Sequence, residues 1–166
     1  MREKRVPSKF KPLYTHLTNN KLFYVFHGGR GGGKSWEIAD FLLIEGAKKK
    51  HRILCCREIQ KSIADSLYAT IVSAISKYKL DPYFKILNNE ITNLITGSRF
   101  IFAGLKSNIT SIKSINKLRV VLTDEAENIS EQSWSYLRPT PRYGQVRFYV
   151  VFNPRFEHDA TWQQFI

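Results

Sequence analysis

The stretch Gly28-Gly-Arg-Gly-Gly-Gly-Lys-Ser35 decides the fold of this chain, because it matches the phosphate-binding pattern G-x-x-x-x-G-K-[ST] at every fixed position. Residues 22–26 just before it are apolar and aromatic, as in a buried strand. Residues 36–44 just after it carry apolar side chains at helical spacing. A strand, a glycine-rich loop and a helix in this order predict a P-loop that binds a nucleoside triphosphate. A merely flexible glycine-rich turn would not need these flanks.

Each residue of the loop has a predicted role. Its glycines permit positive φ and close backbone approach, so that successive N–H groups can form an anion nest at the start of the following helix. Lys34 is expected to reach the β- and γ-phosphates, and Ser35 to place its hydroxyl on Mg²⁺. For Arg30 the sequence leaves open a catalytic contact with the triphosphate or an ion pair with an acidic neighbour, and the anionic ligand favours the first. The predicted nucleotide-binding residues are Gly28, Gly29, Arg30, Gly31, Gly32, Gly33, Lys34 and Ser35.

Residues 118–125, Leu-Arg-Val-Val-Leu-Thr-Asp-Glu, form an apolar segment that ends in two acids. Asp124 is expected to hold Mg²⁺ together with Ser35, and Glu125 to orient or deprotonate the attacking water. Glu127 is a second candidate base, and we expect it to face solvent. A glutamate directly after the metal-binding aspartate is typical of an ATP-hydrolysing motor. A small-molecule kinase would need an acceptor pocket, for which the sequence carries no signal.

Strands alternate with helices along most of the chain, which predicts an α/β fold: a P-loop NTPase with a mostly parallel central sheet flanked by helices. Short strands separated by Asn-Asn-Glu and Gly-Ser predict an inserted antiparallel β-hairpin. Residues 104–117 are polar, and we expect a mobile segment there. The predicted strands cover residues 22–27, 52–57, 84–87, 91–95, 99–103, 118–122 and 145–152. Helices are predicted from the loop to about residue 49, from residue 62 to 78, and from about Ser130, an N-cap candidate, to residue 137.

The chain of 166 residues carries a formal net charge of +12 and is long enough for one complete core. Such a charge favours nucleic acid among possible partners, although the basic run at residues 48–52 also suits a helix C-terminus. No apolar run approaches the length of a membrane span, and we expect a cytoplasmic protein. Cys55 and Cys56 should be buried free thiols on opposite faces of a strand, with no metal. The histidines His16, His27, His51 and His158 are expected to be structural or exposed.

Four blocks of the sequence together resemble the large terminase subunits of tailed bacteriophages, in the branch whose loop reads G-G-R-G-x-G-K-S. They are the loop with Trp36, residues 52–66 with the pattern R-E-x-Q-x-S-I-x-D-S, residues 124–127 (Asp-Glu-Ala-Glu) and residues 152–154 (Phe-Asn-Pro). Several spaced blocks in the right order are far more specific than one loop. The resemblance runs from about residue 20 to 165.

The resemblance implies an ATPase that uses ATP and Mg²⁺ to translocate double-stranded DNA into a procapsid in the host cytoplasm. It also implies a portal protein, a small terminase subunit and a homo-oligomeric ring as partners. Catalysis would fall to Glu125, Arg30 and Lys34, and Asn153 would belong to a motif that couples the γ-phosphate to subdomain movement. That motif usually has a hydroxyl residue where this chain has Val151. Arg57 and Gln60 match the second block, and Arg57 at a strand end could instead be a structural ion-pair partner.

The resemblance also divides the chain into a basic lead-in arm, residues 1–20, and an ATPase domain, residues 21–166. We expect the lid subdomain and the nuclease domain of large terminases to be absent, which would make hydrolysis by this chain slow. The lead-in could supply adenine contacts or could pack against nothing; its candidates are Phe10, Pro12, Leu13 and Tyr14. An arginine acting on a neighbouring subunit could be Arg99, Arg119, Arg138 or Arg142.

Two other functions remain open at this stage. One is a helicase or recombination-type ATPase that acts on single strands, although most aromatic residues lie in predicted strands and not on a stacking surface. The other is a domain that binds nucleotide and DNA without turnover.

Overall fold

The computed structural model describes residues 6–15, 21–139 and 146–166. Its strands are β1 Phe23–His27, β2 Arg52–Arg57, β3 Phe84–Leu87, β4 Glu90–Asn93, β5 Arg99–Gly104, β6 Val120–Thr123 and β7 Arg147–Phe152. They form one sheet in the order β1-β7-β6-β2-β5-β4-β3. The strands from β1 to β5 in this order run parallel, whereas β4 and β3 form an antiparallel hairpin at the edge. The predicted fold class is confirmed.

Helices cover both faces of the sheet. They are α1 Lys11–Thr15, α2 Lys34–Lys48, α3 Lys61–Ile63, α4 Ala69–Lys77, α5 Leu105–Lys113, α6 Glu131–Leu137 and α7 Ala160–Phe165. The first four pack on one face of the sheet and the last three on the other, which gives two separate hydrophobic cores. Among the described residues, no helix combines the length and the hydropathy that a membrane crossing requires.

The prediction of a mobile segment at residues 104–117 is wrong, because most of it is helix α5. Leu105, Ile109 and Ile112 follow one another at intervals of four and three, which places them on one side of a helix. Leu105 and Ile112 are buried in the core under the sheet, and the Ser, Asn and Lys residues between them cover the outer side. A short helix with a narrow apolar stripe has a polar composition, and composition alone misses it.

Other boundaries also differ from the predictions. The strand predicted to end at residue 95 ends at Asn93, whose side-chain oxygen accepts the backbone N–H groups of Ile95 and Thr96, both at 2.9 Å. The helix predicted from residue 62 to 78 contains a π-helical segment, Ala64–Tyr68, between α3 and α4. The short helix after Ser130 is confirmed, with the Ser130 hydroxyl accepting the Ser133 N–H at 3.1 Å.

The adjacent cysteines of the buried strand β2 point to opposite faces of the sheet, as predicted. Cys55 belongs to one core and Cys56 to the other, both are free thiols, and burial raises both pKa values. The described part of the lead-in also belongs to the core: Phe10 is buried and stacks on Phe26 with ring centroids 6.0 Å apart. The alternative that the lead-in packs against nothing is therefore wrong for residues 6–15.

Gly104 lies where the end of β5 meets the chain after β2. A Cβ atom built there would stand 2.3 Å from the backbone nitrogen of Gln60. We expect Gly104→Ala to lower the free energy of unfolding by about 2–3 kcal/mol, because the backbone must shift to admit the methyl group. Urea unfolding followed by circular dichroism measures the change. Gly46→Ala is the control, since its methyl group would contact Ser98 at 3.4 Å and would favour the helix, leaving stability equal or slightly higher. Equal losses in both variants would contradict this account.

Candidate nucleotide-binding site

The predicted site residues meet at the carboxyl ends of the parallel strands, where ligands of open α/β sheets usually bind. The loop connects β1 to α2, Asp124 follows β6, and Asn153 follows β7. Because β7 lies between β1 and β6 in the sheet, the loop, Asn153 and Asp124 face one another. They line a cavity of about 370 Å³. Residues distant in sequence are thus gathered by strand order.

The loop glycines adopt backbone conformations that other residues rarely take. Gly28, Gly31 and Gly33 have φ angles of 143°, 74° and 72°. A Cβ atom at any of the three would meet no atom within 4 Å. The requirement for glycine is therefore one of backbone conformation and not of space. Gly33 is the N-cap of α2, so the loop leads directly to the positive end of that helix dipole.

Lys34 is the first residue of α2, and oxygen atoms surround its ammonium group. It donates hydrogen bonds to the carbonyls of Gly28 at 2.9 Å and Gly29 at 2.8 Å, and to the side-chain oxygen of Asn153 at 2.9 Å. Burial lowers the pKa of Lys34, and the nearby Lys9 lowers it further, whereas Glu127 and Asp124 oppose the shift. The loop is therefore tied to the end of β7 through one lysine.

Ser35 and Asp124 provide the oxygen atoms of a metal site. The Ser35 hydroxyl donates to Asp124 Oδ1 at 2.6 Å, and Asp124 is only 2% exposed. A hydroxyl and a carboxylate are ligands that Mg²⁺ accepts, and Mg²⁺ usually completes its octahedron with waters and phosphate oxygens. Within the described residues, no group of three or more His, Cys, Asp and Glu side chains could hold a metal by itself. The residues present therefore fit a magnesium ion that arrives with a phosphate ligand.

Arg57, at the end of β2, bridges both acids of the motif. Its Nε donates to Asp124 Oδ2 at 3.1 Å, a second guanidinium nitrogen contacts the same oxygen, and Nη1 lies 3.1 Å from Glu125 Oε2. Arg57 is buried, whereas the Glu125 side chain is 44% exposed. The interpretation of Arg57 as an ion-pair partner is confirmed. Glu125 has a φ of 48°, unusual for a residue other than glycine, and such strain often accompanies a functional site.

The expectation that Glu127 faces solvent is wrong. Its side chain is 2% exposed, and Oε2 accepts the backbone N–H of Asn153 at 3.2 Å. Oε1 lies 3.8 Å from the guanidinium of Arg155. The cause is a 3₁₀ turn, Ala126–Asn128, which directs Glu127 toward β7 instead of away from it. The sequence Asp124-Glu125 contains no signal that predicts this turn after the strand.

Arg30 and Asn153 take different positions in the site. Arg30 is exposed, lines the cavity, and pairs with no carboxylate of the described residues, so the ion-pair alternative has no support there. Asn153 contacts Lys34 directly, as described above. Val151 is buried in β7, where its apolar side chain packs in the core above α2.

A second cavity of about 420 Å³ lies between the lead-in and the loop. Of the four lead-in candidates for adenine contact, Phe10 lines this cavity. Leu13 is buried in the core, and the Tyr14 hydroxyl donates to Glu37 at 2.6 Å, so that burial and this hydrogen bond raise the pKa of Tyr14. Phe10 is therefore the one of these four candidates that lies beside the loop, and Lys9 lines the same cavity.

The structure separates the remaining candidates. Gln60 accepts hydrogen bonds from the Gly104 N–H and from Asn108 at 3.2 Å, which joins β5 and α5 to the chain after β2. Arg99 pairs with Glu90, Arg119 lies at the opposite end of the strands, and Arg142 lies outside the described residues. Arg138 lies over the ring of Phe23. The cavity that the loop, Asp124 and Asn153 line is also lined by Ser66, Thr70 and Arg155, to which sequence reasoning gave no role. Ser66 ends the second block of the resemblance, whereas Thr70 and Arg155 belong to no motif that would have identified them.

A parallel sheet with a glycine-rich loop before α2, and a serine and an aspartate in contact beside it, define a P-loop NTPase fold. Residues 20–166 match the family model described as phage terminase large subunit. The chain therefore belongs to the phage terminase large subunit family, as the resemblance predicted.

Two curated relatives agree with this assignment. The PBSX phage terminase large subunit of Bacillus subtilis (strain 168) is 23% identical over 141 residues, which cover 83% of this chain and 32% of that protein. The terminase large subunit of Bacillus phage SPP1 is 25% identical, with 93% of this chain and 40% of that protein covered. The chain thus spans about a third to two fifths of the length of these relatives.

Solved structures share the fold at low identity. The N-terminal domain of the DNA packaging ATPase from bacteriophage phi29 superposes with a TM-score of 0.74 at 15% identity, over 95% of this chain and 86% of that one. The large terminase of a thermophilic bacteriophage, solved in complex with ADP, gives a TM-score of 0.68 at 11% identity, over 85% of this chain and 36% of that one.

We expect Arg57→Ala to lower the free energy of unfolding by about 3–5 kcal/mol, because it leaves the buried Asp124 carboxylate without its guanidinium partner. Urea unfolding measures this loss. Arg99→Ala is the matched control: its ion pair with Glu90 is 40% and 20% exposed, so its loss should cost less than about 1 kcal/mol. A smaller loss for Arg57→Ala than for Arg99→Ala would refute the importance of the buried pair.

Proposed function

We propose that this chain is the ATPase domain of a phage DNA-packaging motor and hydrolyses ATP to ADP and phosphate with Mg²⁺. The observation that carries the proposal is the contact between Ser35 and Asp124 at 2.6 Å, beside the loop that presents Lys34. A serine hydroxyl and a carboxylate in contact beside a phosphate-binding loop are the pair that holds magnesium in P-loop NTPases.

Each site residue has a task in this proposal. The loop from Gly28 to Gly33 offers backbone N–H groups to the phosphates, and Lys34 adds a positive charge that offsets theirs. Ser35 and Asp124 would hold Mg²⁺, which supplies charge neutralisation for the transferred phosphoryl group. Glu125, exposed at the edge of the cavity, accepts a proton from the attacking water or orients it. Arg30, without a carboxylate partner among the described residues, contributes its guanidinium to the triphosphate.

Asn153 is proposed to couple the phosphate to movement of the chain. Its side-chain oxygen accepts from Lys34, and its backbone N–H donates to Glu127, so one residue connects the loop to the turn after β6. A change in the position of Lys34 would therefore act on β7 and on this turn together.

The motor role extends the family assignment to the partners that a packaging motor requires. Double-stranded DNA, a portal protein, a small terminase subunit and a homo-oligomeric ring are proposed, and the host cytoplasm is the proposed location. The thermophilic phage terminase with bound ADP supports a nucleotide ligand. Within this chain we assign residues 21–166 to the ATPase domain and residues 1–20 to a basic lead-in arm, of which Lys9 and Phe10 line the second cavity.

Glu125→Gln should retain ATP binding and lose hydrolysis by about two orders of magnitude or more, because a glutamine cannot accept the proton of the attacking water. A fluorescent ATP analogue reports binding, and phosphate release reports turnover. Glu131→Gln, at an exposed position in the first turn of α6, removes the same charge outside the site and should match the unaltered chain. Unchanged hydrolysis in Glu125→Gln would remove the base assignment.

Lys34→Ala should abolish ATP binding, because the phosphates lose their ammonium partner. Since Lys34 also bonds Gly28, Gly29 and Asn153, unfolding of the variant is measured alongside. Removal of Mg²⁺ with a chelator should stop phosphate release in the unaltered chain. ATP binding retained at full affinity in a folded Lys34→Ala variant would contradict the phosphate-binding role of the loop.

Glu127→Ala should lower kcat about tenfold with little change in KM, because the Asn153 N–H loses a buried acceptor and Asn153 no longer holds its position. Glu127→Gln keeps an acceptor oxygen and should retain most activity. Equal losses in the two variants would mean that charge, and not the hydrogen bond to Asn153, is what Glu127 contributes.

The same phosphate-release assay, with DNA added, distinguishes the proposed function from the two alternatives. Stimulation by duplex DNA agrees with the packaging role, whereas preferential stimulation by single strands would favour a helicase or recombination-type ATPase. Nucleotide binding without turnover under any of these conditions would favour a purely binding domain.

A further inference from the structure

A row of arginines marks the amino-terminal end of the parallel strands, away from the candidate nucleotide site. β7, β2 and β5 begin at Arg147, Arg52 and Arg99, and Arg119 directly precedes β6. The Arg119 N–H donates to the Arg52 carbonyl at 3.0 Å, and the Arg147 N–H donates to the Arg119 carbonyl at 3.1 Å. Because β7, β6, β2 and β5 are consecutive in the sheet, the four arginines are neighbours.

A broad cavity of about 840 Å³ opens beside this row. The described residues that line it are Lys50, Arg52, Asn116, Lys117 and Arg119, and no carboxylate is among them. We call Lys50, Arg52, Lys117 and Arg119 the basic edge. Lys50, Lys117 and Arg119 are exposed, and Arg52 is half-buried.

The positive charge of the basic edge is not neutralised by acids of the described residues. Glu45 pairs with Lys48 at 2.9 Å and Glu90 pairs with Arg99, and no ion pair joins a carboxylate of the described residues to the basic edge. Arg52 donates to the Asn116 carbonyl at 2.7 Å. This hydrogen bond fixes the position of the guanidinium, and the neutral carbonyl does not cancel its positive charge. The edge thus combines one fixed cation with three exposed ones.

His51, inside this region, responds to the same positive potential. Burial lowers the pKa of His51, and Lys49, Arg147 and Arg119 lower it further, while Glu45 opposes them. A potential that repels a proton from His51 attracts an anion to the adjacent surface.

We infer that the basic edge binds the phosphate backbone of duplex DNA, an inference that rests on the proposed packaging function. Neighbouring strands lie about 4.8 Å apart, so the starts of β7, β6 and β2 span about 10 Å. Duplex DNA presents one negative charge per about 1.7 Å of its axis, or about six over that distance. An open surface with separated cations matches a row of phosphates better than a single small anion. Lys and Arg contacts of this kind position DNA without reading its sequence.

The basic edge and the nucleotide site occupy opposite ends of the same strands. β2 runs from Arg52 at the edge to Arg57, the partner of Asp124, over six residues. At about 3.3 Å per residue these ends are about 17 Å apart. Substitutions at the basic edge can therefore be tested without altering a residue of the nucleotide site.

The test is the triple variant Lys50→Gln, Lys117→Asn, Arg119→Gln, in which Arg52 is kept because it holds Asn116. Asparagine suits position 117, where φ is 57°. Binding of a short fluorescent duplex is followed by anisotropy over a series of salt concentrations. We expect the slope of log K against log salt to become shallower by about 2–3, because each lost phosphate contact contributes about 0.9, and affinity at low salt to fall at least about tenfold.

The control variant Lys79→Asn, Lys85→Gln, Lys113→Gln removes the same charge from exposed lysines elsewhere, including one with φ of 57°. It should bind DNA as the unaltered chain does. If both variants weaken DNA binding equally, or if the first variant does not weaken it, the basic edge is not the DNA-binding surface, and the proposed function still stands. Failure of the unaltered chain to bind duplex DNA overturns both the edge and the packaging role. Binding of a fluorescent ATP analogue, measured on the same samples, tests the ATPase part separately.

Discussion

The buried carboxylate of Asp124 is the constraint on which the rest of the site depends. Ser35 donates to one of its oxygens and Arg57 to the other, so a loop, the end of β6 and the end of β2 meet at one group. A buried charge is costly unless it is paired and hydrogen-bonded, and here both conditions are met by residues that are themselves part of the site. The same contacts therefore stabilise the fold and prepare a magnesium site.

The order of the strands in the sheet connects the Asp124 site to the phosphate-binding loop and to the end of β7. Placing β7 between β1 and β6 brings Asn153 against Lys34 on one side and against Glu127 on the other. Three segments that are separate in sequence then share hydrogen bonds, so a displacement of one segment breaks these bonds or displaces the others. This connection is the physical basis for proposing that Asn153 couples the bound phosphate to movement.

The two ends of the parallel sheet differ in electrostatic character. The carboxyl end gathers Asp124, Glu125 and Glu127 among cations, so that charges of both signs are paired there. At the amino end, Arg99 pairs with Glu90, whereas the four cations of the basic edge have no carboxylate partner among the described residues. Part of the net charge of +12 therefore lies at the basic edge, at the end of the sheet opposite the nucleotide cavity.

The sequence by itself determined the elements that depend on neighbours along the chain. The glycine-rich loop, the strand that ends in Asp124 and Glu125, and the N-cap at Ser130 all follow from local patterns, because turn conformation and capping involve a few consecutive residues. Tertiary structure decided what depends on distant partners. Glu127 is buried because a 3₁₀ turn brings it against β7. The narrow apolar face of α5 is buried only because the helix packs on the sheet. Arg57 reaches Asp124 because β2 pairs with β6. Such contacts join residues far apart in the chain, and no local pattern contains them.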